Sequence, residues 1–313
     1  MKILEMMKAI KNLKTIISKI CLTAFLLLVT LTSCNSKGKA TSNVVASVDG
    51  KAISSDLYSK ELRFYQSYYS KVYGESFLEK KSKNGKSNDQ ILREELIDSM
   101  IKDQVMKKDL EANKIKLDDN GTNNLRNNLS DKLNGEDSLK ANIVALGFNE
   151  NSINEILYND YIRKAHYDLF LKNNHIKDKD VVDFYNKNNK LHRQYKYNVL
   201  VFDDKNVAKN IKDKLTDAKS FQSYLNKNAR NYSIINSDFV YIDDPILSAS
   251  KVKKKDMISD IFEYEGKFCI LMINSYNENE NELLLKAKDI YLEKAYYDYL
   301  NKLIKESKIK VFV

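Results

Sequence analysis

Cys34 directly follows Leu31-Thr32-Ser33, which closes an apolar run beginning at Ile20. A thiol in that position, behind small residues, reads as a site of acylation, with the chain cut between Ser33 and Cys34. Upstream, Lys2, Lys8, Lys11, Lys14 and Lys19 stand against Glu5 alone, the positive opening of an export signal. Residues 20–31 are too few to cross a bilayer, which takes about 20 apolar residues. The sequence therefore predicts a lipoprotein signal peptide over 1–33, a lipid on Cys34 and a flexible tether over 34–43. The expected location is the extracytoplasmic face of the cell membrane, where two acyl chains hold an anchor that one would leave marginal.

The remaining reactive residues exclude several chemistries. His166, His175 and His192 are the only histidines, and they have neither metal-site spacing nor a neighbouring nucleophile pattern. Asp118-Asp119-Asn120-Gly121 lacks the alternating ligands of a calcium loop and reads as a turn. No glycine-rich phosphate loop follows a strand-like run. Cys21 leaves with the signal and Cys34 is acylated, so Cys269 has no partner for a disulfide and reads as a buried, inert thiol. The first 33 residues hold five lysines and one glutamate, so the formal net charge of +9 falls to +5 in the mature chain. The lysines that remain alternate with Asp and Glu, as on a solvated face rather than a nucleic-acid groove. The expectation is thus no metal, no cofactor and no nucleic-acid partner. With 20 tyrosines and no tryptophan, aromatic packing falls largely to Tyr.

Local patterning supplies the elements that would carry a binding surface. Residues 44–48 read as a strand, Asp49-Gly50 as a tight hairpin turn and 51–53 as the returning strand. Ser54 or Ser55 can cap a helix whose broad face carries Leu57, Tyr58, Leu62, Tyr65, Tyr68, Tyr69 and Val72, with Gly74 to end it. Leu92, Leu96, Ile97, Met100, Ile101, Val105 and Leu110 recur at helical spacing, the strongest such signal in the chain. Further helical patterns cover 125–133, 139–146, 153–170 and 180–186. From Gln194 the period changes. Strands are expected at 195–202, 239–242 and 268–273, with helices at 206–218 and 221–231 between them. A long amphipathic helix over 282–307 and a final strand over 308–313 close the chain, and that strand could cover the open edge of the first hairpin.

In this order the segments resemble the PrsA-type and SurA-type foldases, which are membrane-anchored or periplasmic chaperones carrying a parvulin peptidyl-prolyl isomerase domain. The resemblance is carried by Val45-Ala46-Ser47-Val48-Asp49-Gly50-Lys51-Ala52-Ile53-Ser54, by 92–117 and by Leu146-Gly147-Phe148-Asn149. Val182-Asp183-Phe184-Tyr185-Asn186-Lys187-Asn188 and the C-terminal helix and strand extend it. It implies a mainly helical α+β fold. A SurA-like N-terminal domain over 44–192 is completed by a helix and strand over 277–313, with a small parvulin-like module inserted over 193–276. The family places one active-site histidine on the first strand of that module and a second near its end. Here those places hold Asn198 and Phe268, and of the family's Gly-Gly-Asp-Leu-Gly turn only Asp238 remains.

Turning an X-Pro bond means lowering a barrier of about 18–20 kcal/mol by stabilising a twisted amide. Asn198 can donate a hydrogen bond, whereas Phe268 can neither donate nor accept one. The resemblance thus implies a chaperone for unfolded or newly exported proteins, its isomerase activity lost. The alternatives are an active divergent isomerase and a non-catalytic scaffold for one surface partner. Candidate client contacts are Tyr65, Tyr68, Tyr69, Met100 and Tyr299, each of which could equally serve the core.

Overall fold

The computed structural model describes residues 43–82, 84–145, 149–226 and 231–313. The signal peptide, Ser33, Cys34 and residues 35–42 of the tether lie outside the described residues, as do Leu146, Gly147 and Phe148. The fold is mainly helical α+β. In chain order its first elements are β1 (Val44–Val48), β2 (Lys51–Ser54), α1 (Ser55–Tyr73) and α2 (Asn88–Ala112). There follow α3 (Asp119–Lys132), α4 (Glu136–Ala145), α5 (Glu150–Asn173) and α6 (Asp178–Lys187). Next come β3 (Gln194–Phe202), α7 (Lys205–Lys212), α8 (Ala218–Leu225), β4 (Ser233–Asn236) and α9 (Pro245–Ser250). The chain ends with β5 (Phe262–Tyr264), β6 (Lys267–Asn277), α10 (Glu280–Glu306) and β7 (Ile309–Val311). Among the described residues no helix is long and apolar enough to cross a membrane.

Two compact units result. The larger comprises the described residues up to His175 together with Ala295–Val313, and the smaller is Ile176–Lys294, so the division falls within α10.

In the larger unit, Asp49 and Gly50 both take positive φ, 49° and 86°, as a two-residue hairpin turn requires. The Asp49 carboxylate accepts from Lys108 Nζ at 2.7 Å and from the Lys308 backbone N–H at 2.8 Å, and the Lys108 ammonium first of all holds its pKa below the usual range. The terminal strand lies where the sequence reading placed it. β7 runs antiparallel to β1, with Ala46 opposite Val311 and Val48 opposite Ile309, giving the order β2-β1-β7. Every apolar residue of the stripe from Leu92 to Leu110 is buried, packed with Val45, Val48, Ile53, Leu300 and Ile304. Burying such a side chain is worth about 1.5–3 kcal/mol. Ser87 starts α2 with a capping box, its hydroxyl accepting from Gln90 N–H while the Gln90 side chain accepts from Ser87 N–H.

The turn expected at Asp118–Gly121 is instead the start of α3. The Asp118 carboxylate accepts from Gly121 N–H at 3.2 Å, so the aspartate is an N-cap. Gly121 packs face-on against Tyr161, and a Cβ there would fall inside the ring. A second core cluster joins Phe64, Tyr68, Leu129, Leu133, Leu139, Ile143, Ile153 and Leu157.

In the smaller unit, β3 and β6 form the centre of an antiparallel sheet of order β4-β3-β6-β5. One face packs Tyr195, Tyr197, Val199, Cys269, Leu271 and Ile273 against Leu247 and Val252. The other packs Leu200, Phe202, Ile270 and Met272 against α7 and α8 through Ala208, Ile211 and Phe221. The helix expected over 206–218 ends at Lys212, and the one expected over 221–231 runs instead over Ala218–Leu225, its earlier start set by the capping box of Asp217 and Ser220. Residues 239–242 form no strand. Only Val240 bridges Tyr195, through a reciprocal pair of backbone hydrogen bonds, because the chain then turns into the Asp244 cap of α9. Tyr185, Leu191, Leu283 and Ala287 tie α6 to the first half of α10 within this unit.

Candidate functional site

The tyrosines of α1 fall into distinct environments. Tyr68 is buried in the second cluster and Met100 in the first, while Tyr65 and Tyr69 are partly buried against both. Tyr299 belongs to a polar group described below. The expected client-contact residues are therefore not brought to one surface. A different aromatic set is. Tyr69, Tyr73 and Phe77 stack, with ring centroids 6.0 Å apart for Tyr69–Tyr73, 4.8 Å for Tyr73–Phe77 and 5.6 Å for Tyr69–Phe77, and Tyr73 is 52 % exposed. The i, i+4 spacing of Tyr65, Tyr69 and Tyr73 was the signal that could have found this column. Phe77 has no such signal, since it lies beyond Gly74 in a separate helical turn.

Elsewhere in this unit, α1, α2 and α5 meet over charge. Arg163 donates to Asp103 through two parallel bonds of 2.9 Å, to Ser99 Oγ at 3.0 Å and to Asp160 at 3.3 Å. Glu61, buried on α1, accepts from Asn159 Nδ2 at 3.1 Å. Burial, and then the Asp103 carboxylate, push the Glu61 carboxyl up to about 7. Burial likewise raises Asp160 to about 6. Burial opposes charge on Arg163, but Asp103 more than restores it. One guanidinium thus serves a group of carboxylates that cannot all ionise together cheaply.

A second polar group ties α2, α5 and the end of α10. His166 is fully buried and its Nδ1 shares a hydrogen bond of 2.9 Å with the Tyr296 hydroxyl. The Tyr299 hydroxyl donates to Asp109 at 2.7 Å. His166 Nε2 lies 3.2 Å from the same carboxylate but off the line of a hydrogen bond, and burial lowers its pKa. This is a packed helix histidine, held in place by tyrosine and carboxylate.

In the smaller unit the two family histidine places do not meet. β3 and β6 pair with Asn198 opposite Met272 and Phe202 opposite Phe268, so Phe268 sits about 13 Å along the strand from Asn198 at roughly 3.3 Å per residue. Asn198 instead joins an amide ladder across three strands. Asn274 Nδ2 donates to Asn198 Oδ1 at 2.6 Å, and Asn198 Nδ2 donates to Asn236 Oδ1. Asn198 is buried and Asp238 is exposed, beyond the end of β4. On the opposite face Cys269 is buried and desolvation pushes its thiol up to about 11, as expected of an inert cysteine. Among the described residues no group of three or more His, Cys, Asp or Glu could hold a metal ion.

Residues 7–132 match the family model described as SurA-like N-terminal domain. Over those residues the chain is similar to that domain. No curated protein matches the chain. Solved structures that align with this chain include a SurA-like chaperone of Campylobacter jejuni, from work on PEB4 and Cj1289. It is 14% identical, covering 86% of this chain and 98% of the other at a TM-score of 0.43. The foldase protein PrsA from Lactococcus lactis aligns at 14% identity over 86% of this chain and 95% of the other, with a TM-score of 0.37. PrsA from Bacillus subtilis aligns at 14% identity over 84% and 91%, with a TM-score of 0.26.

Proposed function

We propose that the chain is a lipid-anchored chaperone on the extracytoplasmic face of the membrane, binding unfolded or newly exported polypeptides without isomerase activity. The match of residues 7–132 to the SurA-like N-terminal domain carries this reading. The lipid on Cys34 would keep the chain where exported segments emerge. Apolar and aromatic side chains shelter such segments weakly and reversibly, and the stacked rings of Tyr69, Tyr73 and Phe77 offer a rigid surface with an accessible edge at Tyr73. No nucleotide is needed for this.

The amide ladder supports the absence of isomerase chemistry. The carbonyl of Asn198 is already engaged by Asn274, one of its amide hydrogens by Asn236, and its neighbour across the strand is Met272. Little remains to stabilise a twisted prolyl amide. The deciding experiment is proline-limited refolding of a reporter protein with the chain from Asn35 to Val313 added. The expected result is an unchanged slow phase alongside suppressed aggregation at near-stoichiometric ratios. Acceleration of the slow phase would restore the isomerase reading, and binding to a single partner without any effect on aggregation would favour the scaffold.

A further inference from the structure

Between α9 and β5 the chain reads Lys251-Val252-Lys253-Lys254-Lys255-Asp256-Met257-Ile258-Ser259-Asp260-Ile261. Lys251 ends α9 at φ 58°, and all four lysines are exposed. Some exposed lysines elsewhere find carboxylates: Lys86 meets Glu94, Lys179 meets Asp183 and Lys190 meets Asp243. These four make no ion pair among the described residues, and Asp256 and Asp260 are the only carboxylates in the loop.

The loop is not a loose tail. Val252, 2 % exposed, plugs into the core beside Leu247, Cys269 and Leu271. The Tyr276 hydroxyl accepts from Lys255 N–H and donates to the Lys253 carbonyl at 3.1 Å. Asp256 N–H donates to the Ile273 carbonyl at 2.8 Å and Ser259 N–H to that of Leu271 at 2.8 Å, so the segment is laced along β6. The cations are therefore presented on a fixed backbone, and Met257 is 51 % exposed beside them.

We propose that this loop docks the smaller unit on an anionic phospholipid surface, its lysines meeting headgroup phosphates and Met257 entering the acyl boundary. Clustered cations next to an exposed apolar side chain are the pair of signals that interfacial binding uses. Single-stranded nucleic acid would ask for aromatic platforms, and residues 251–261 contain no aromatic residue. A mere guard against strand-edge pairing would need no exposed methionine.

The test uses the chain from Asn35 to Val313, which contains every described residue and no lipid, so it reads the loop independently of any anchor at Cys34. Co-sedimentation is expected with vesicles of about one part phosphatidylglycerol to two parts phosphatidylcholine. None is expected with phosphatidylcholine alone, and high salt should release the protein. Lys253→Gln, Lys254→Gln and Lys255→Gln together should weaken binding about a hundredfold, near fivefold per lysine. The same change at Lys209, Lys212 and Lys214 should weaken it far less. Amine-modification footprinting on the unmutated chain should show Lys253, Lys254 and Lys255 protected by anionic vesicles, which keeps the test valid if the triple variant misfolds. Equal binding to both vesicle types, equal loss in both triple variants, absent protection, or tighter binding to a DNA oligonucleotide than to the vesicles would overturn the proposal.

Discussion

Where α1, α2 and α5 meet, the interior holds Glu61, Asp103 and Arg163. Where β3 meets β6 it holds Val199, Leu200, Ile270, Leu271 and Met272, none of which carries charge. The sheet buries both faces, so its central strands read as continuous apolar runs, and hydrophobic burial suffices to hold them. The helices cross with polar side chains inside, and a bidentate pair fixes one alignment of α2 on α5 at a cost in desolvation. The sheet is thereby insensitive to protons, whereas the helical joint responds to them.

Removing one partner of the buried pair should have the largest effect. Arg163→Met leaves Asp103 uncompensated and should cost about 3–5 kcal/mol, read as a lower denaturant midpoint. Adding Asp103→Leu should recover much of that loss. A double variant as unstable as the single would show that packing rather than charge makes the joint. Leu271→Ala, at a fully buried position of β6, should cost about 2–5 kcal/mol through the cavity it leaves, seen as faster amide exchange in the smaller unit. That loss should be the same in mild acid and at neutral pH, and a strong pH dependence would blur the contrast between the units.

The smallest effect sharpens it. The Glu61 carboxyl has an ordinary value of 4.5 and stands near 7 in the folded chain, so the fold binds a proton that the unfolded chain releases. Its contribution is complete below about 4.5 and is lost as pH rises to about 7, by up to about tenfold in the folding equilibrium per pH unit. Glu61→Gln keeps an acceptor for Asn159 and should flatten that slope in denaturant titrations at stepped pH. An unchanged slope would assign the proton to another group.

Local features were legible in the sequence. Asp49-Gly50 carries its own turn chemistry, and the stripe from Leu92 to Leu110 needs only its own spacing. Asp118 was hidden because Asn120-Gly121 right after it has the chemistry of a turn, whereas in the fold its carboxylate caps a helix that continues to Lys132. Arg163 and Asp103 lie 60 residues apart, beyond the reach of any periodicity. The amide ladder was equally hidden. Motif spacing names Asn198 and Phe268 but does not set cross-strand register, which places Met272 opposite Asn198 and brings in Asn274 from the end of an apolar run.

The pairing of β1 with β7 bears on the order of assembly. The Lys308 N–H that reaches Asp49 spans 259 positions of sequence, whereas every strand of the smaller sheet falls within Ile176–Lys294. A chain emerging N-terminus first can complete its later-made sheet while its first hairpin still waits for a partner. The first-made part is thus the last to be finished, and through that interval β1 presents an open edge of its own.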